Sequence, residues 1–247
     1  MTDYLATPDA HLRPEVAESY DAGYADMDTS DVVELLAELA DGGAAVEFAI
    51  GTGRIAVPRS QAGVSVSGMD FSEPMLAQLR MKPESASIET ALGDMTSTVM
   101  GQDFSLAYLV FNTIMNLRSQ AGQVACFKNA AAHLRPGGRF VIEVIVPEVH
   151  RLGGQTVVPF GFTDTHVGFD DYVDRVDQIL ISHHVNVADG VGHRSANAFR
   201  YVWPSELDLM AQIAGMDLEH RWADWSRNEF TEESPSHVSV WRKPGHS

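Results

Sequence analysis

The chain is poor in basic residues and almost without cysteine. Its 247 residues hold 17 Lys and Arg against 34 Asp and Glu, a formal net charge of -17. A surface of that sign repels phosphate backbones, so nucleic-acid substrates are disfavoured. It favours solubility and does not choose among small-molecule acceptors. The one cysteine, Cys126, excludes an intrachain disulfide. Within the helical pattern Gln123-Val124-Ala125-Cys126-Phe127 it reads as a small core residue and not as a nucleophile. No apolar run approaches the ~20 residues of a membrane span. The opening MTDYLATPDAHLRPE has neither the basic nor the apolar region of a secretory signal. A cytoplasmic protein without a membrane partner is the expectation. Internal repeats, low-complexity tracts and the H-x-x-x-H and H-E-x-x-H spacings are also missing, so no metal is expected.

What is present is an ordinary globular composition, 45% hydrophobic and 21% charged, enough for one large domain or a core with an insertion. Residues 1–43 read as helical, with Ser30 or Asp31 capping the apolar-faced DVVELLAELA and Asp41-Gly42-Gly43 stopping it. Strands are predicted over 44–50, 64–69, 88–92, 104–111 and 139–146. Helices lie between them over 54–61 (short, because of Pro58), from Ser72 through Arg80, and over 119–134. Such alternation implies parallel pairing with right-handed crossovers. After Pro147 the texture changes. Residues 151–168 show little periodicity, then 172–187 reads as one long strand, Ala188-Asp189-Gly190 as a turn and 192–203 as its return. A last helix over 206–214 precedes two closing strands, 218–225 and 237–241, expected as an antiparallel edge pair.

The chemistry concentrates where strands end. The run AVEFAIGTGRIAVP carries Glu47 and the small residues Ala49, Gly51 and Gly53; the next strand ends in Asp70, and the third is followed by Gly93-Asp94. Open parallel sheets bind ligands beyond such strand ends. GTGRIA also satisfies the glycine pattern of dinucleotide binders, so an NAD(P)-dependent oxidoreductase is one reading. The long helical lead, the second acid at Asp94 and the two final strands favour an adenosyl ligand without phosphates.

Through VEFAIGTGRIAVP, VSGMDFSEPML, ALGDM, LVFNTIMNL and HLRPGGRFVIEV, the chain resembles the class I S-adenosylmethionine-dependent methyltransferases of the small-molecule type. The resemblance implies a Rossmann-like seven-stranded α/β sheet with helices on both faces, plus a β-rich hairpin insertion after the fifth strand. It implies S-adenosyl-L-methionine as cofactor and methyl transfer to N or O of a small metabolite. A non-catalytic cofactor-binding module on the same fold is the third reading. By resemblance, Glu47 orders the glycine loop and meets the methionine amino group, while Gly51 and Gly53 let the methionine part lie against backbone. Ala49, Thr52 and Phe71 sit in the same two loops; Ala49 stands where the family has glycine. Asp70 holds the ribose hydroxyls, Met75 packs on the adenine, and Asp94 and the Met95 backbone meet its edge. Phe111 and Asn112 contact the methionine carboxylate or the acceptor. Tyr20 and Tyr24 close over the cofactor.

Three units are therefore expected: 1–43 as a closing segment, 44–147 with 204–247 as the cofactor-binding core, and 148–203 as a lid over the acceptor. A homodimer is kept as an expectation. The catalytic base is not legible; His166, His183, His184 and Tyr24 are the candidates. Adjacent strand residues face opposite ways, so at most one of His183 and His184 should face the pocket.

Overall fold

The computed structural model of the chain describes residues 12–148, 156–188 and 190–245. Five parallel strands follow the predicted alternation: β1 (Ala45–Phe48), β2 (Val66–Asp70), β3 (Glu89–Leu92), β4 (Phe104–Leu109) and β5 (Leu134–Ile145). Late in the chain, β10 (Asp217–Trp222) and β11 (Ser236–Arg242) complete a seven-stranded sheet in the order β10-β11-β5-β4-β1-β2-β3. β11 runs antiparallel to both β5 and β10, so the predicted edge pair forms. β1 lies between β2 and β4, where the strand order reverses. That reversal parts the loops beyond the strands and opens a crevice.

Helices cover both faces. On one, α2 (Ser30–Ala40) buries Leu35, Leu36 and Leu39 against Leu106, Tyr108 and Val141. Its first turn is satisfied from outside: Asp28 Oδ1 accepts from the Ser30 amide at 2.9 Å and from its hydroxyl at 2.7 Å, so neither predicted cap serves. α1 (Pro14–Gly23) precedes it, and α3 (Ala56–Gln61) is short around Pro58 as predicted. α4 (Glu73–Met81) is capped by Ser72, whose Oγ accepts from the Met75 amide. On the other face, α5 (Gln120–His133) and α6 (Pro204–Ile213) enclose the main core. There Phe127 meets Phe140 and Trp241 edge-on at 5.1 and 5.2 Å, a geometry worth about 0.5–1.5 kcal/mol per pair beyond area burial. Cys126 is fully buried in this core and burial pushes its thiol far up, so it stays a packing residue.

The segment after β5 is β-rich and antiparallel as predicted, but larger than read from the sequence. It forms a second, four-stranded antiparallel sheet from β6 (Val157–Phe162), β7 (His166–Asp174), β8 (Ile179–Ala188) and β9 (Val191–Arg200), not one hairpin. The single strand read over 172–187 is broken because Asp174 Oδ1 accepts from the amides of Val176 and Asp177, and Gln178 takes a positive φ of 60°. Those bonds reverse the chain inside an apolar–polar alternation that itself gave no sign of a turn. Part of 151–168, read as patternless, supplies β6 and the start of β7. Residues 149–155 and the centre of the predicted turn at Asp189 lie outside the described residues. Tyr172, Leu180 and Tyr201 of the second sheet and its exit join the main core, which fixes that sheet beside the carboxyl ends of β4 and β5. Among the described residues no helix is long and apolar enough to cross a membrane.

Candidate functional site

Beyond β1 the chain turns through Ala49, Gly51 and Gly53, all with positive φ (54°, 57° and 82°). For Ala49 that conformation costs on the order of 1–3 kcal/mol. The two glycines act differently. A Cβ on Gly51 would meet open space, whereas one on Gly53 would lie 2.3 Å from Leu79 Cδ1. Gly53 thus serves the contact with α4, and Gly51 the cleft. Asp70, 6% exposed, ties the loops together: Oδ2 accepts from the Gly51 amide and Oδ1 from the Ser72 amide, both at 2.8 Å.

Two cavities meet along this edge at Ala49 and Thr113. The larger, about 550 Å³, is lined by Asp70, Phe71, Asp94, Met95 and Leu117 among others. Asp94 Oδ1 accepts from the Thr96 amide at 2.7 Å, which shapes the loop after β3. That loop is held from behind by α5. Asn129 Nδ2 donates to the carbonyls of Met95 and Thr98, both at 2.9 Å, and His133 Nε2 accepts from the Met100 amide at 2.9 Å. His133 Nδ1–H then donates to Asn129 O at 2.7 Å, so the ring is neutral, and burial lowers its pKa.

The smaller cavity, about 40 Å³, is bounded by Tyr20, Glu47, Gly51, Thr52, Arg54 and Phe111. Glu47 is 3% exposed, and its Oε2 accepts from the Tyr108 hydroxyl at 2.8 Å. Burial pushes its carboxyl up to about 8, against the pull of the Tyr108 hydrogen bond and of Arg59 and Arg54. The buried Arg59 guanidinium lies 5.0 Å over the Tyr108 ring and donates to Leu36 O. α1 roofs the cavity. The Tyr20 and Tyr24 rings meet at 4.8 Å, tilted by 50°, Tyr24 meets Phe111 edge-on at 5.2 Å, and Arg54 lies 4.7 Å over the Phe111 ring. The Tyr20 phenol, hydrogen-bonded to Arg54, is pushed up to about 12 chiefly by burial and stays neutral. Asp21 latches the helix, accepting from Thr52 Oγ1 and from Lys82 Nζ, each at 2.6 Å.

The cleft thus gathers Tyr20, Glu47, Ala49, Gly51, Thr52, Asp70, Phe71, Asp94, Met95 and Phe111 of the predicted set. Four predicted residues line neither cavity. Gly53 packs on Leu79. Met75 is buried one turn into α4, and Phe71 presents its ring to the larger cavity instead. Tyr24 stands behind Tyr20 and Phe111. Asn112 spends Oδ1 on the Ile145 amide at 2.8 Å, tying the end of β4 to β5. The histidines also lie away from both cavities: His184 and His166 share a hydrogen bond of 3.0 Å, while His183, on the opposite face, stacks on Phe169 at 4.8 Å. Sequence reasoning missed Thr113 and Leu117, although both sit in the quoted LVFNTIMNL. It also missed Arg54, which lies within the quoted GTGRIA, and Asp21 and Asn129, which no quoted motif contains.

Comparison with known proteins agrees with this geometry. Residues 45–138 match the family model of a methyltransferase domain. Over 184 residues, 72% of this chain and 74% of the relative, the sequence is 28% identical to a cypemycin N-terminal methyltransferase of a Streptomyces species. The fold superposes with a TM-score of 0.84 on the CcbJ methyltransferase of Streptomyces caelestis, at 32% identity, covering 97% of this chain and 100% of that one. CalS10, an amino pentose methyltransferase of Micromonospora echinaspora with its cofactor bound, gives 0.71 at 18% identity over 91% and 96% of the two chains, a likeness of fold.

Proposed function

The chain belongs to the class I S-adenosylmethionine-dependent methyltransferases, and we propose that within that chemistry it methylates a nitrogen of a small amine-bearing acceptor. The observation that carries the cofactor assignment is one cleft with an acid at each of three strand ends: Asp70 and Asp94 on the roomy part, Glu47 on the narrow part. The residues fit the group. In this reading Asp70 accepts from ribose hydroxyls, Asp94 from an exocyclic amine, and Phe71 and Met95 flank an adenine. Glu47 offers a carboxyl to an α-ammonium. The comparisons give the nicotinamide alternative no support. Nitrogen is favoured over oxygen because the curated relative is named for N-terminal methylation and CalS10 for an amino pentose.

The bound cofactor supplies an electrophilic methyl carbon on a sulfonium. The chain's own residues do the rest. The Asp70 clamp and the strained Ala49 turn fix the floor of the cleft. α1, latched through Asp21 and roofed by Tyr20, excludes water from the methionine end. Holding an acceptor in line with a reactive carbon lowers the barrier by about 7–11 kcal/mol, so positioning is the main contribution asked of this protein. The second sheet walls the acceptor chamber in this proposal, with Phe160, Tyr172 and Phe199 on the side that runs into the main core. A cytoplasmic setting accords with a single, buried thiol.

The test is direct. S-adenosylhomocysteine should raise the melting temperature and NADH should not. Asp70→Asn should weaken S-adenosylhomocysteine at least tenfold. Product of increased methyl mass from an amine panel separates the enzyme from a binding-only module. Undiminished affinity in Asp70→Asn would count against the site.

A further inference from the structure

One face of the second sheet carries a connected row of polar side chains that the cofactor cleft does not use. The register sets Asp170 opposite Ser182 and Gly168 opposite His184. Alternation therefore puts His166, Asp170 and Tyr172 on the same face as Leu180, Ser182 and His184. Tyr172 and Leu180, at the inner end, enter the main core, and the Tyr172 hydroxyl accepts from the Glu148 amide just past β5. Asp170 is the next residue outward on that face, at the carboxyl edge of the main sheet. Ser182 stands directly across from it in the register, near enough for its hydroxyl to favour the ionised carboxylate. Ser182 Oγ lies 3.4 Å from His184 Nε2, His184 Nδ1 lies 3.0 Å from His166 Nε2, and the Phe160 ring covers His184 at 5.3 Å.

Donor and acceptor roles in this row follow from its end. An ionised carboxylate only accepts, so the Ser182 hydroxyl donates to Asp170. Its oxygen then accepts from His184 Nε2–H, which leaves His184 Nδ1 to accept from His166 Nε2–H. Every donor points toward Asp170. Burial and the neighbouring imidazoles lower the His184 pKa, which keeps that ring neutral as the row requires. No cation answers Asp170 among the described residues. The titratable groups near it are Glu148 beyond β5, Tyr172 on its own strand, and His184 and His166 along the row, with Tyr201 behind Tyr172. Burial and the Glu148 charge push its carboxyl up to about 6. A half-buried carboxylate at the end of a polar row, facing another acid and no cation among the described residues, is built for a cationic guest.

On the premise that the acceptor is an amine, we propose that Asp170 receives the acceptor's ammonium and takes its proton, with Ser182, His184 and His166 as positioning residues. Asp170 accepts one N–H proton and becomes the neutral acid. The nitrogen's freed electron pair forms the bond to the methyl carbon. The electrons of the breaking carbon–sulfur bond remain on sulfur, which becomes the neutral thioether. Asp170 then returns its proton to water, which its position near pH 6 permits at neutral pH.

Two measurements test this. Glucosamine and alanylalanine serve as amine probes in a turnover assay. Asp170→Asn should lower kcat/KM on an accepted probe by about 100-fold or more, lose the limb of the pH–rate profile near pH 6, and keep S-adenosylhomocysteine affinity. Asp170→Glu should recover part of the rate, and His184→Gln should move the limb without abolishing turnover. Independently of any acceptor, side-chain 15N spectra should show His184 and His166 as Nε2–H tautomers, with the His184 signals displaced in Asp170→Asn. Wild-type kcat/KM in Asp170→Asn, or His184 found as the Nδ1–H tautomer, overturns the proposal. A wild-type protein that binds S-adenosylhomocysteine but methylates neither amine counts against the amine reading instead, and the spectra still judge the row.

Discussion

Replacing Glu47 with glutamine should stabilise the ligand-free protein, and increasingly so as the pH rises. The carboxyl is displaced from 4.5 to about 8 by burial. Below the lower value it is protonated in folded and unfolded chains alike and contributes nothing. Between the two values only the unfolded chain ionises, so the native state loses stability as the pH climbs. Above the upper value both forms are ionised and the loss is constant. At 1.36 kcal/mol per pKa unit, the full displacement corresponds to about 5 kcal/mol, and to about 3 kcal/mol at pH 7. Glutamine cannot ionise, and its amide oxygen can still accept from the Tyr108 hydroxyl. Arg59, Arg54 and Asp70, the other charges acting on this position, interact with the ionised carboxylate alone and are already contained in its displaced value. Urea unfolding of the pair at about pH 5, 7 and 9 reads the effect directly. The stability difference should be under about 1 kcal/mol at the first pH and several-fold larger at the last. A difference that stays constant across that range would refute the reasoning. The same variant should bind S-adenosylhomocysteine more weakly, because the α-ammonium loses its carboxylate.

The glycine pair offers a contrast. Gly53→Ala should cost about 1–3 kcal/mol or more by adding a Cβ clash with Leu79 to the strain of positive φ, lowering the melting temperature while cofactor affinity survives; Gly51→Ala carries the positive-φ strain alone, with open space around its Cβ, so it should lose less stability than Gly53→Ala and more affinity. Asn129→Ala strips the donor from the Met95 and Thr98 carbonyls, which should destabilise by about 1–3 kcal/mol and weaken S-adenosylhomocysteine in a titration, though Asn129 lines neither cavity.

The main sheet was legible because its signals are local. Each buried strand is a short apolar run, each helix a periodic face, and an acid closing a strand of a parallel sheet falls where ligands bind. That logic reached Asp70, Asp94 and Glu47. It failed where a contact joins distant parts of the chain. DRVDQILISHHV alternates as a strand should, and only the side chain of Asp174, folding back on two amides, breaks it. Ser30 looked like a cap, but its hydroxyl donates to Asp28, which also takes the Ser30 amide. Met75 and Phe71 are both apolar residues near the start of α4, and only the entry angle of that helix decides which one faces the cleft. Asn129 and His133 looked like helix interior and helix end; their service to the loop after β3 exists only once α5 lies behind it.

Where backbone strain sits says which parts of the cleft can move. Ala49, Phe111 and Asn112 all hold positive φ, and each such residue costs on the order of 1–3 kcal/mol. They persist because neighbouring strands grip them: the Ile50 amide donates to Met69 O, the Phe111 amide to Glu143 Oε2, and Asn112 Oδ1 accepts from the Ile145 amide. The floor is therefore fixed by bonds to β2 and β5 on either side of the point where strand order reverses. The roof is held otherwise. Its latch, Asp21 to Lys82, joins side chains that are 45% and 28% exposed, a setting in which an ion pair is worth up to about 1 kcal/mol. Besides it there are the Thr52 hydroxyl donating to Asp21, the Tyr20–Arg54 bond, ring contacts and one guanidinium over Phe111. The narrow cavity beside Glu47, at about 40 Å³, is too small for an amino-acid moiety, so in the proposed binding mode it widens for the cofactor's methionine end. Of the groups around it, Glu47, Gly51 and Phe111 are anchored through the sheet, whereas Tyr20 and Arg54 are not. On that proposal widening falls to α1, and the helix proposed to exclude water during transfer is also the element expected to lift to admit the cofactor.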